Sequence, residues 1–201
     1  MTLPQSTTIL LHTLNILIGI ISIAILSLVA RSVALTDKLS SRIPSDVRGT
    51  DRGMLFWPGC GGVVDMLLFG FLWMKLPAQN TKKRRVFLNA LVFVACFILG
   101  RPLIVLVYTF VEDGRARKTV VESSTKAYTI ESWSCAYAST NELRVAGALC
   151  MELRGARFLL IPSVVFGAVM LLLVIWLRRK MGREGDGVLA REDGEEAKSG
   201  V

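Results

Sequence analysis

Histidine occurs once in this 201-residue chain, at position 12. A lone imidazole at the start of an apolar run excludes His-rich metal centres and leaves a catalytic His12 without an evident partner. No phosphate-binding loop is present either. Gly59, Gly61 and Gly62 lie in an apolar stretch without the Lys-Ser/Thr pair that completes such a loop. The connection at 112–157 lacks an Asn-x-Ser/Thr acceptor, so N-glycosylation is not expected there. With so few titratable groups suited to chemistry, the expectation is a chain without metal, cofactor or catalysis.

What the chain has in quantity is apolar sequence. It is 52% hydrophobic with a mean hydropathy of +0.51, too apolar for a soluble domain. Residues 9–30, 54–76, 86–111 and 158–177 form four apolar stretches. At about 1.5 Å of rise per helical residue, each is long enough to cross a hydrocarbon core of about 30 Å. The expected fold is an all-α membrane protein: a left-handed bundle of four transmembrane helices over residues 1–180, with an extracytoplasmic loop at 112–157 and a disordered cytoplasmic tail at 181–201. The first stretch is read as an uncleaved helix. No Lys or Arg precedes Arg31, and the apolar run exceeds the core of about 7–15 residues that a signal peptide carries.

Charge is unbalanced, with 24 Lys and Arg against 16 Asp and Glu, a net +8. The basic residues flank the apolar stretches and form no aromatic-interleaved patch, so anionic lipid and membrane orientation explain them better than nucleic acid does. Lys82, Lys83, Arg84 and Arg85 fill one short connection, and Arg178, Arg179, Lys180 and Arg183 follow the last stretch at once. Both sites read as cytoplasmic, which places both termini inside. The first loop also carries Arg31, Lys38, Arg42, Arg48 and Arg52, but dispersed and partly offset by Asp37, Asp46 and Asp51. Lys82–Arg85 and Arg178–Lys180 are expected to contact lipid head groups at about 1 kcal/mol per charge. Trp73 and Trp176 mark one interface; Trp57, Tyr108, Phe110 and Phe158 mark the other.

The 112–157 loop holds two of the four cysteines, Cys135 and Cys150. In an oxidising compartment a disulfide between them is favoured, worth about 3 kcal/mol in the chain-entropy model; two free buried thiols are the alternative. Residues 128–137 are rich in aromatic and β-branched types and are expected to be extended, whereas Ser139 and Glu142 have the spacing of a capping box. Beyond it Leu143, Ala146, Cys150 and Leu153 recur along one helical face.

Two charges fall inside apolar stretches, Asp65 and Arg101. Ionised groups there cost several kcal/mol unless paired or hydrated. Counted from the inner ends of their segments, they differ in depth by about 6 Å, within reach of an extended Arg. An ion pair between adjacent helices is the leading expectation, and a substrate or ion pathway is the rival. Pro58, Gly61 and Gly62 share a face with Asp65, Pro102 deprives the Ile98 carbonyl of its helical donor, and Ser163 with Gly167 forms a small-x-x-x-small contact. Asn15, and Asn89 with Cys96 and Gly100, offer further polar contact between helices. Cys60 and Cys96 read as small apolar fillers.

Four helices, a short basic inner turn, a larger cysteine-bearing second outer loop and inner termini resemble the tetraspan, MARVEL-like membrane proteins in layout. The Cys-Cys-Gly of tetraspanins is missing, and the Trp with two cysteines that claudin-like proteins carry in the first outer loop stands here in the second, as Trp133, Cys135 and Cys150. No site residue carries over. The expected role is that of a non-catalytic scaffold or accessory subunit of a membrane complex, in the plasma membrane or secretory pathway. Its expected partners are the lipid bilayer and another membrane protein or a second copy. The alternative is a small transporter or channel component using Asp65 and Arg101.

Overall fold

A computed structural model describes residues 5–39, 43, 47, 50–75, 81–122, 129–138 and 144–199. Among these residues there are five helices: α1 (Gln5–Leu39), α2 (Thr50–Met74), α3 (Thr81–Glu122), α4 (Ile130–Ala138) and α5 (Arg144–Ser199). Four contain stretches long and apolar enough to cross a membrane: Ser6–Leu39, Gly53–Met74, Arg85–Glu112 and Arg144–Lys180. No more than 39% of the apolar core of any of the four is buried inside the molecule. Helices apolar all round and mostly uncovered are compatible with a lipid surrounding.

Each long helix packs on its neighbours in the chain, and α5 closes the ring by returning to α1; the short α4 lies on α5. Small residues set the spacing. A Cβ at Gly59 would sit 3.3 Å from Leu26 Cα, and one at Gly167 would sit 3.2 Å from Leu99 Cα. The backbones of α1 and α2, and of α3 and α5, therefore approach closely, as small residues at a helix–helix contact allow.

Side chains inside the ring form two apolar clusters. Ile25, Val29, Leu55, Val105, Trp133, Leu149, Leu153 and Leu160 fill the end nearer α4. Leu11, Ile18, Phe69, Leu91, Val94, Ile98, Met170 and Val174 fill the other. Between them every long helix contributes one polar residue: Ser22 falls between Ile18 and Ile25, Asp65 between Leu55 and Phe69, Arg101 between Ile98 and Val105, and Ser163 between Leu160 and Met170. All but Arg101 are more than nine-tenths buried. A polar layer thus divides the core.

Several expectations are corrected. The segment at 112–157 is mostly helical, including the stretch with Ala146, Cys150 and Leu153 expected to be so: α3 runs on to Glu122, and α5 begins at Arg144 and continues without a break through Arg154 and Arg157. A helix ends where its hydrogen bonding fails, not where its hydrophobicity does, so the apolar stretches underestimate the helices. Residues 130–138 are helical instead of extended. Thr129 and Ser132 start that helix by a reciprocal cap: Thr129 Oγ1 accepts from the Ser132 amide at 3.2 Å, and Ser132 Oγ accepts from the Thr129 amide at 3.0 Å. The capping box at Ser139 and Glu142, and Leu143, lie outside the described residues. Helix α5 also extends to Ser199 through the tail expected to be disordered. No proline follows Pro162 to interrupt its hydrogen bonds, although Gly182, Gly185 and Gly187 lower its propensity.

Candidate functional site

Asp65 and Arg101 come together where α2 meets α3. Arg101 Nη1 lies 3.2 Å from Asp65 Oδ2, with side-chain exposures of 20% and 5%. The reason is local. Gly61, one turn before Asp65, has no side chain, and the Arg101 guanidinium occupies the space that a Cβ there would take. Gly61 therefore makes room for a side chain, whereas Gly62 makes room for Ser22 of α1. Adjacent glycines on α2 serve two different neighbours.

The guanidinium is also flanked by rings, its central carbon lying 5.4 Å from the Phe97 centroid and 5.9 Å from that of Trp57. Both aromatics are exposed on the outer surface of the bundle. They stand between the charge and the surroundings, and their faces attract it. Even so, the contact with Asp65 lacks the direction of a hydrogen bond. Asp65 Oδ2 and Arg101 Nε are both buried without a hydrogen-bond partner.

Ser22 Oγ donates to the Ile18 carbonyl at 2.8 Å. Ser163 follows Pro162, and Pro58 and Pro102 sit in the wall of the same central cavity. Three helix-interior prolines therefore lie near the polar layer, each removing one backbone donor from its helix. Asn15 lies deeper in the far cluster and donates through Nδ2 to the Met66 carbonyl at 3.2 Å, linking α1 to α2.

At the α4 end the structure forms the expected cysteine pair and adds two acid–arginine contacts that were not expected. Cys135 of α4 and Cys150 of α5 form a disulfide, their Cα atoms 4.9 Å apart. Beside it Glu131 of α4 lies 3.0 Å from Arg157 of α5. The Arg157 guanidinium also faces the rings of Phe110 and Phe158. Arg31 of α1 reaches Glu152 of α5 at 2.8 Å. Arg157 gave a usable signal, a basic residue directly before an apolar run, but its acid stands far away in sequence at Glu131.

Arg85, Arg178, Arg179 and Lys180 are exposed at the opposite end, and Lys180 lies over the Trp176 ring at 5.4 Å. The side chains of Lys82, Lys83 and Arg84 lie outside the described residues. His12 packs edge-on against Trp73 with centroids 6.1 Å apart. Cys60 and Cys96 are free thiols, and Cys96 is exposed, not a filler within the bundle. Asn89 is exposed too, and a Cβ at Gly100 would meet nothing within 4 Å, so among the described residues this face of α3 is uncovered at these positions.

Among the described residues, no group of three His, Cys, Asp or Glu could hold a metal ion. Compared with models of known families, with characterised proteins and with solved structures, the chain matches none.

Proposed function

We propose that this chain is a non-catalytic integral membrane protein serving as a scaffold or accessory subunit of a membrane complex. Both termini would be cytoplasmic, the α4 end extracytoplasmic, and the membrane that of the cell surface or secretory pathway. The observation that supports this reading best is the closure of the polar layer. Asp65 and Arg101 meet each other inside a packed ring, and the space beside them has room for about one water molecule. A solute pathway would need far more room. The work of such a protein falls to its outer surfaces, where the α3 face with Asn89, Cys96 and Gly100 is available for another helix.

An oxidising outer compartment favours the Cys135–Cys150 disulfide, and anionic lipid on the inner side suits Arg85, Arg178, Arg179 and Lys180. The test is mass spectrometry and sizing of the complex purified gently from native membranes. A stoichiometric partner, lost when α4 and its connections are replaced, is the expected result. A homogeneous particle of this chain alone would overturn it.

A second reading has one observation in its favour: the unpartnered Asp65 Oδ2 and Arg101 Nε at the meeting point of the helices. Buried ionisable groups often mark ion or proton routes, so the alternative is a small transporter or channel component. Ser22→Cys and Ser163→Cys, made with Cys60 and Cys96 replaced by Ala, separate the two. A scaffold keeps both new thiols from charged, water-soluble reagents, and a pathway lets them react.

A further inference from the structure

The central cavity is lined from all four long helices, by Ser22 of α1, Gly62 and Asp65 of α2, Arg101 of α3 and Ser163 of α5 among others. Asp65 is 4% exposed, and its Oδ2 has no hydrogen-bond partner. Arg101 Nε is a buried donor in the same condition. A buried polar atom left dry forfeits a hydrogen bond that it would have in water, and more so when charged. Both residues line the cavity, and their chemistry limits what can bind there.

Charge excludes ions. A cation drawn to Asp65 meets the Arg101 guanidinium beside it, and an anion drawn to Arg101 meets the carboxylate. An uncharged molecule that both donates and accepts fits the pair without opposing either member. The enclosed space has room for about one water molecule. Ser22 has already given its proton to the Ile18 carbonyl, so its oxygen can only accept.

We infer that this cavity is a binding site for one ordered water molecule. The water donates to Asp65 Oδ2 and to Ser22 Oγ, and it accepts from Ser163 or Arg101. Three bonds are the usual complement of a buried water. In that position it supplies the directed hydrogen bond that the ion pair lacks and ties α1 and α5 to the α2–α3 contact. The water belongs to the bundle whether or not a partner binds outside.

The test is a structure of the full chain in lipid nanodiscs, at a resolution that shows ordered water. The expected result is one peak about 2.5–3.2 Å from Asp65 Oδ2 and from a serine hydroxyl. An empty cavity or an acyl chain in it would overturn the assignment. So would anomalous signal at the site after exchanging sodium for rubidium or chloride for bromide. Stability gives an independent readout. Ser163→Val, which fills the space with methyl groups, should lower the thermal midpoint by about 2–4 °C, with Ser163→Ala lowering it less. A midpoint unchanged or raised by Ser163→Val would mean a dry cavity that accepts apolar filling. Should Ser163→Val fail to fold, the peak in the unaltered protein decides.

Discussion

Asp65 with Arg101 and Glu131 with Arg157 are both buried acid–arginine pairs, but they are built differently. The first lies between two apolar clusters, shielded by Trp57 and Phe97, and makes a contact without hydrogen-bond geometry. The second lies at the α4 end, beside a disulfide, with Arg157 set between Phe110 and Phe158. Both arginines face two rings, but a disulfide ties the helix of Arg157 to that of Glu131, while no covalent link joins the helices of Arg101 and Asp65. A pair in the middle of an apolar layer has no bulk water to fall back on; one near the end of a bundle does.

Breaking the central pair should therefore be the costliest change. Asp65→Asn leaves Arg101 buried without its countercharge, at about 3–5 kcal/mol, whereas Asp65→Leu with Arg101→Met removes both charges and should come out near neutral. Unfolding in mixed micelles measures both variants, and equal losses would refute a coupled pair. Next comes the disulfide. Cys135→Ser with Cys150→Ser should cost about 3 kcal/mol, and reduction of the protein with only these two cysteines left should change its gel mobility.

Glu131→Gln keeps an acceptor near Arg157 and leaves both rings in place, so a loss of about 1–3 kcal/mol is expected. A loss as large as that of Asp65→Asn would show that the two environments are equivalent after all. The smallest effect should come from Gly100→Ala, where a Cβ meets nothing. Helix propensity alone predicts a gain of up to about 1 kcal/mol for the isolated chain. Loss of a co-purifying partner in the same variant would locate the contact on this face of α3, whereas an unchanged complex would place it elsewhere.

The legibility of these features follows from their range along the chain. Asp65 and Arg101 were readable because a charge in an apolar run is conspicuous by itself, and depth along two helices is simple counting. The Cys135–Cys150 pairing was readable because only two thiols stand in that region. Glu131 with Arg157 and Arg31 with Glu152 were not, because both acids sit among ordinary polar residues and the partners meet only once α4 folds onto α5 and α1 returns beside it. The extended reading of 128–137 failed because β-propensity is a weak preference, and the Thr129–Ser132 cap supplied a helix start that overrode it.

The sequence by itself determined four helices long and apolar enough for a membrane, the end at which the basic residues gather, and two buried charges in need of a partner. Those follow from hydrophobicity and length, which are properties of each segment alone. Only the tertiary structure decided that Gly61 receives a guanidinium while Gly62 receives a serine, that α5 runs unbroken past Arg157, and that four polar residues, one from each long helix, fall at one level. Such facts depend on which faces of the helices meet, and no segment carries that information until its neighbours are in place.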